Sequence, residues 1–365
     1  MSYKVRDEVL RIEKYVAGKP ISEVKRELGL EKVVKLASNE NPLGCSPKVK
    51  EGLRNLVDET FLYPDANNFQ LKELLAENLG VKESQVFCGA GSDSLIKVIC
   101  NTLINPGEEN IVGEITFPRY ETNIELMGGK VIKVPLKDMK LDLEEMVNSI
   151  TPSTKTIWFC NPNNPTGDSF GIEEIKGLLD RIPRDVYIIM DEAYAEYVSR
   201  EDYPNSIELL KEYENLIVLR TFSKAYGLAS LRVGYGVAGE ELVDYFNRVV
   251  NSFDVNLYAQ VAAVEALKDK GFLEVVKNFN KKQRDYLEQE FENMGLKYVK
   301  SDANFIMVNV KCDDKKFFNY LLQNGYIIRP GYLLGCPGWM RISIGKEDEN
   351  KELISLMKSY LNENL

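Results

Sequence analysis

Residues 186–194 read Val-Tyr-Ile-Ile-Met-Asp-Glu-Ala-Tyr, an unbroken apolar run from Val186 to Met190 that stops at the carboxylate of Asp191. A short apolar run without alternation is what a strand buried on both faces looks like. Strands of that kind belong to parallel sheets covered by helices. In such sheets ligands collect at the carboxyl edge, where Asp191 is expected to stand.

The same pattern recurs in both directions. Apolar runs lie near Lys32 to Ala37, Gln85 to Cys88, Asn110 to Glu114, Lys130 to Val134, Thr156 to Cys160, Leu216 to Thr221 and Val233 to Val237. Between them, Phe69 to Leu79, Ser94 to Ile104, Tyr120 to Met127, Leu143 to Ile150 and Ile172 to Ile182 carry apolar residues at helical spacing. The alternation predicts an α/β fold, with a large domain built on a mostly parallel seven-stranded sheet flanked by helices. After Glu240 the chain turns to long charged helices, with Leu257 to Met294 as the connector. Strands near Phe305 to Val310 and Met340 to Ile344, then a helix from Lys351 to Leu361, predict a smaller α+β C-terminal domain joined by a long helix. The expected division is an N-terminal arm over 1–35 packing with the small domain, a large domain over 36–255, and a small domain over 256–365.

Composition removes several kinds of function. The chain has 365 residues, 44% of them apolar, enough for a large core and more than one domain. A formal charge of −10 disfavours nucleic acid and anionic membrane as partners. Six scattered cysteines without a CxxC pair read as reduced thiols of a cytoplasmic protein. The opening residues MSYKVRDEVLRIEKYV interleave charge with apolar side chains, unlike a signal peptide, and no apolar run is long enough to span a bilayer. Histidine is absent, which excludes histidine triads and HExxH zinc sites and leaves acid-base work to Lys, Tyr, Asp, Glu or Cys. No metal site is expected.

Three segments carry chemistry: NPNNPTG at 161–167, DEAY at 191–194 and TFSKAYG at 221–227. Each follows an apolar run, so an amide, an acid, a phenol and a lysine can gather around one flat cationic ring. Asp191 suits a protonated pyridine nitrogen, although alone it could equally cap a helix or bind magnesium; no GxxxxGK[ST] sequence supports a nucleotide site. Lys224, flanked by Phe222 and Tyr226, is placed to be desolvated and so to act as nucleophile and base. Ser223 and Arg232 suit a phosphate, the arginine through its forked donors. The turn Gly89-Ala90-Gly91-Ser92-Asp93 opens a helix and can add main-chain amides and the Ser92 hydroxyl. Asp93 either turns its carboxylate away from such an anion or caps the helix.

Together with KLASNENPLG (35–44), YPD (63–65), GAGSD (89–93), TFSKAYGLASLRVGY (221–235) and RISIG (341–345), these segments resemble those of the fold-type-I pyridoxal-phosphate aminotransferases, and within them most closely the histidinol-phosphate aminotransferase group. The resemblance covers nearly the whole chain. It implies pyridoxal 5'-phosphate as cofactor, Lys224 as the Schiff-base lysine and proton shuttle, and Asp191 against the pyridine nitrogen. Asn164 and Tyr194 fall at the ring oxygen, and Gly91, Ser92, Asp93, Ser223 and Arg232 around the phosphate. Phe117 matches the aromatic that stacks on the ring, ahead of Tyr120. Arg341 matches the arginine for the substrate carboxylate, and Arg329 is a candidate second anion contact; Asn164 also faces the substrate. Tyr63 matches the tyrosine lent to the neighbouring subunit, to its cofactor phosphate and substrate, which implies a homodimer with shared active sites. Leu62 departs from the arginine common before Tyr-Pro-Asp in that family.

The expected reaction is transamination of histidinol phosphate, the amino donor, with 2-oxoglutarate as the 2-oxo acid, in histidine biosynthesis. An aromatic amino-acid aminotransferase, a pyridoxal-phosphate decarboxylase of a phosphorylated amino acid and a non-enzymatic cofactor-binding regulator are the alternatives.

Overall fold

In a computed structural model, residues 4–14, 18–54 and 56–364 are described; of the arm expected over 1–35, residues 1–3 and 15–17 lie outside them. The large sheet has seven strands among the described residues, in the order Val86–Gly89, Gly234–Val237, Leu216–Thr221, Tyr187–Asp191, Thr154–Cys160, Glu109–Gly113 and Lys130–Val134. Among these, only Gly234–Val237 runs against its neighbours. The sheet is therefore mostly parallel, as the apolar runs predict.

Side-chain alternation explains why the central runs are apolar at successive positions. Ile157 and Phe159 enter one core with Ile188, Met190, Leu216 and Val218. Trp158, Cys160, Ile189, Ile217 and Leu219 enter another on the opposite face. The helix Ser92–Leu103 covers the second face, burying Leu95, Ile96 and Ile99. Phe69–Leu79, Ile172–Leu179 and Leu257–Leu267 cover the first. Neither face is left to water along the middle of these strands, so the runs Ile157 to Cys160, Ile188 to Met190 and Leu216 to Leu219 are apolar, while Thr156 and Arg220 near the strand ends have hydrogen-bond or ion-pair partners.

The C-terminal part builds a four-stranded antiparallel sheet in the order Arg329–Pro330, Trp339–Ser343, Phe305–Asn309 and Tyr298–Val299. The strand expected near Lys32 to Ala37 narrows to Val34–Lys35 and pairs in parallel with Tyr326–Ile327, away from the large sheet. Val34 and Leu36 are buried there with Ile306, Ile342 and Tyr326, which is the reason the segment crosses over. The crossing carries residues 37–39 to the edge of the large sheet.

The connector is broken into two helices, Leu257–Leu267 and Lys270–Asn293. Asp269 stops continuous winding by accepting from the Phe272 N–H at 3.2 Å as the cap of the second. Ala259, Ala262 and Ala263 of the first helix join the large-sheet core, while Leu287 and Phe291 of the second join the smaller one. No helix among the described residues is long and apolar enough to cross a membrane.

Candidate active site

A cavity of about 820 Å³ opens where the parallel strands end, reached by Gly113, Cys160, Asp191 and Thr221. Asn164, Asp191, Tyr194, Ser223, Lys224, Arg232, Arg341, Arg329, Ser92, Asp93 and Phe117 all line it. Gly91 packs against Arg232 just behind the wall. Tyr63 stands apart: it is 82% exposed and stacks on Phe253 with ring centroids 4.6 Å apart.

Asp191 ends its strand inside the protein, only 3% exposed. Burial pushes its carboxyl up to about 6, while the Tyr120 hydroxyl and the Ala193 amide pull it back. The Tyr120 hydroxyl donates to Oδ2 at 2.6 Å and the Ala193 N–H to Oδ1 at 3.1 Å. Tyr120 is itself fixed by stacking on Trp158, centroids 4.8 Å apart. Its place is thus beside the acid, while Phe117 lies edge-on to it at 5.7 Å and borders the cavity. A carboxylate held charged at such a site by two donors has a strong demand for a cation.

Lys224 is half-buried at the end of the adjacent strand, and its Nζ donates to the Ser38 carbonyl at 3.1 Å. Enclosure pulls its ammonium down to about 8, with the Arg341 and Arg232 charges adding to the effect and Glu40 and Asp93 opposing it. An appreciable share of the amine is therefore neutral near physiological pH, as a nucleophile requires. The amine lies 5.6 Å from the centre of the Tyr194 ring. The Tyr194 hydroxyl accepts from Asn39 Nδ2 at 3.1 Å, and burial raises its pKa.

Asn39 is a part of the site that the motifs left without a role. Its backbone is left-handed, with φ of 56°, and its side chain accepts from the Ser343 hydroxyl at 2.8 Å while its N–H donates to that same oxygen at 2.9 Å. Asparagine tolerates this conformation better than most side chains. One residue thus ties the Val34–Lys35 crossover, the strand carrying Arg341 and the Tyr194 phenol together.

Arg341 is 8% exposed and donates to Asn164 Oδ1 at 2.5 Å and to the Ala37 carbonyl at 2.7 Å. Arg329 is its directly opposed cross-strand partner. Residues directly opposite on neighbouring strands share a face of the sheet, so both arginines meet the cavity from one wall. The loop carrying Asn164 is locked by Asn163, which accepts from the Thr116 hydroxyl at 2.8 Å and donates to the Ile115 carbonyl at 3.1 Å.

At the other end, Arg232 Nη1 donates to Ser223 Oγ at 3.1 Å and to the Ala229 carbonyl at 3.0 Å. Gly91 has a φ of 81° and occupies the N-cap position of Ser92–Leu103; no side chain caps this helix, so Asp93 in its first turn does not serve as the cap. A Cβ on Gly91 would stand 2.4 Å from Arg232 Nη2, and one on Gly234 would stand 2.8 Å from the Ser92 amide. The glycines let an arginine, two serines and a helix start converge. Acid, lysine and this cationic corner match a flat cationic ring that bears an aldehyde and a phosphate.

A family model described as "Aminotransferase class I and II" matches residues 31–356. The chain belongs to that family. Histidinol-phosphate aminotransferases of Moorella thermoacetica and Caldicellulosiruptor saccharolyticus are each 47% identical to this aminotransferase, covering 98% of it and 93% and 99% of their own lengths. The crystal structure of histidinol-phosphate aminotransferase from Sinorhizobium meliloti in complex with pyridoxal-5'-phosphate shares its fold, with a TM-score of 0.90 at 24% identity, covering 100% of this chain and 99% of that one. The smaller antiparallel sheet and the mostly parallel large sheet are thus the shared architecture of this aminotransferase and its relatives.

Proposed function

We propose that this aminotransferase binds pyridoxal 5'-phosphate and transfers the amino group of histidinol phosphate to 2-oxoglutarate, a step of histidine biosynthesis. The near full-length 47% identity to relatives named for that activity is the observation that carries the proposal. The fit of the cavity's donors to the cofactor supports it independently. Asp191 would face the pyridine nitrogen, Tyr194 and Asn164 the ring oxygen, and Phe117 the ring face. Gly91, Ser92, Ser223 and Arg232 would surround the phosphate, with Asp93 offering its main chain and its carboxylate turned away, and Lys224 would hold the aldehyde carbon covalently. When bound, the cofactor supplies an electron sink for the bond broken at the substrate's amine-bearing carbon.

The remaining work belongs to the chain. With no histidine present, Lys224 Nζ is the best-placed base and would move the proton at the substrate's amine-bearing carbon. Arg341 and Arg329, on one wall, hold the anionic end of either substrate, so one pocket can take a phosphate ester in one half-reaction and a carboxylate in the other. Mixing the purified protein with histidinol phosphate, phenylalanine or phosphothreonine and recording the cofactor spectrum tests substrate class. Conversion to the amine form with histidinol phosphate is expected; response to phenylalanine alone would replace the proposal by an aromatic aminotransferase.

Tyr120 is assigned to holding Asp191. A hydrogen bond to a charged group contributes roughly 1.5–3 kcal/mol, so Tyr120→Phe is expected to lower kcat about tenfold with little change in KM. An unchanged kcat would remove Tyr120 from the mechanism.

A homodimer completes the proposed assembly. Phe61, Leu62, Tyr63, Phe69 and Phe253 are exposed apolar residues, and Tyr63 does not line the cavity of its own chain. A second copy covering that set would receive Tyr63 at its own cofactor phosphate. Sedimentation velocity is expected to give a dimer at micromolar concentration, and a monomer throughout would refute shared sites. A cytoplasmic location agrees with six unbridged cysteines. The proposed division keeps the arm at 1–35, the cofactor-holding part at 36–255 and the smaller part at 256–365.

A further inference from the structure

The anion corner is made of two arms that are remote in sequence. One is the turn at Gly89–Gly91 that opens Ser92–Leu103; the other is Leu231–Arg232, at the end of the Ala229–Leu231 helical turn. Each contains a left-handed residue, Gly91 at φ 81° and Arg232 at φ 56°. A non-glycine residue in that region costs roughly 1–2 kcal/mol, so the second arm must be held in place by its surroundings.

The loop at 251–256, between the helices Glu240–Val249 and Leu257–Leu267, reaches both arms. Asp254 Oδ2 accepts from the Ala90 N–H at 2.7 Å and from the Ser94 hydroxyl at 2.6 Å, on either side of Gly91 and Ser92. Asn251 Nδ2 donates to its other oxygen at 3.3 Å. Two residues on, Asn256 Nδ2 donates to the Leu231 carbonyl at 3.0 Å, while its Oδ1 accepts from the Ala259 N–H at 2.9 Å as cap of the following helix. The intervening Val255 is buried, which anchors the loop between its two contacts.

We propose that this loop is a clasp that sets the spacing of the two arms, with Asp254 and Asn256 as positioning residues for the cofactor phosphate. The inference rests on the pyridoxal-phosphate proposal above. A carboxylate beside a phosphate is electrostatically unfavourable, so Asp254 acts through the groups it orients and not by contact with the anion. Its acceptor oxygen matters and its charge opposes binding.

Pyridoxal, which lacks the phosphate, separates this role from general damage. Equilibrium titrations of the cofactor-free protein with pyridoxal phosphate and with pyridoxal, followed by absorbance, are the test. Asp254→Ala is expected to weaken pyridoxal phosphate binding by about tenfold or more while leaving pyridoxal within about twofold, because a lost pair of hydrogen bonds to a charged acceptor acts on the phosphate corner alone. Asn256→Ala should shift the same ratio in the same sense. Asp254→Asn keeps an acceptor and sheds the charge, so its affinity for pyridoxal phosphate should equal or exceed that of the wild type. Unchanged pyridoxal phosphate binding by Asp254→Ala, or equal weakening of both ligands, would overturn the clasp with the cofactor proposal intact. A wild-type protein that fails to bind pyridoxal phosphate would overturn that proposal and the clasp with it.

Discussion

Replacing Lys224 by methionine is expected to abolish transamination, with kcat lowered by about 10⁴-fold or more, and to stabilise the cofactor-free protein. The first effect follows because one side chain is proposed both to hold the cofactor and to move the proton. The second follows from its pKa, about 8 in the folded protein against an ordinary 10.5. The unfolded chain binds this proton more tightly, so the cost of carrying it in the fold is fully present below pH 8 and is relieved as pH rises towards 10.5. The interval from 10.5 to 8 corresponds to about 3 kcal/mol as an upper figure. Urea unfolding of the two cofactor-free proteins should show Lys224→Met more stable by about 1–3 kcal/mol at pH 7 and the gap narrowing by pH 10. A gap that does not narrow would mean that packing, not the buried charge, separates them. Borohydride reduction of the loaded wild type followed by peptide mapping should label Lys224.

The position of Lys224 at the cavity is legible because a local feature, the apolar strand Leu216–Thr221, ends just before it, although its contacts with Ser38 and Tyr194 come from remote segments. The depression of its pKa was not wholly so, since Arg341 arrives from the other sheet. The large sheet was readable for a similar reason. Burial on both faces writes itself into uninterrupted apolar runs such as Val186 to Met190, and helices between them follow from their own periodicity. The two-residue strand Val34–Lys35 left no such trace. Its pairing with Tyr326–Ile327 depends on which apolar cluster accepts Val34 and Leu36, and the order of residues along the chain does not encode that choice. Asn39 therefore had turn chemistry but no visible partner, although its contacts reach Tyr194 and Ser343. Tyr120 ranks in the sequence only behind Phe117 as a ring stacker, and tertiary packing turns its face to Trp158 and its hydroxyl to Asp191. Asp254 sits in a short turn between helices, where an acid signals nothing by itself.

Asp191→Asn is expected to lower kcat by about 10²–10⁴-fold, since removing one partner of a buried charge pair costs roughly 3–5 kcal/mol. The isostere still accepts from Tyr120 and leaves the strand end in place, but it cannot keep a cationic ring nitrogen charged. Cofactor-free stability should move the other way. The Asp191 carboxyl titrates at about 6 when folded against 3.8 ordinarily, so the unfolded chain releases its proton first. Its cost is absent below pH 3.8, grows as pH rises to 6 and is fully present above. The wild type should therefore lose stability relative to Asp191→Asn across that window, by about 1–3 kcal/mol at pH 7. A bound cation reverses this balance: the loaded wild type should regain the difference over the loaded variant, because the carboxylate then has the partner its burial demands. If loading stabilised both proteins equally, Asp191 would not be the partner of the ring nitrogen.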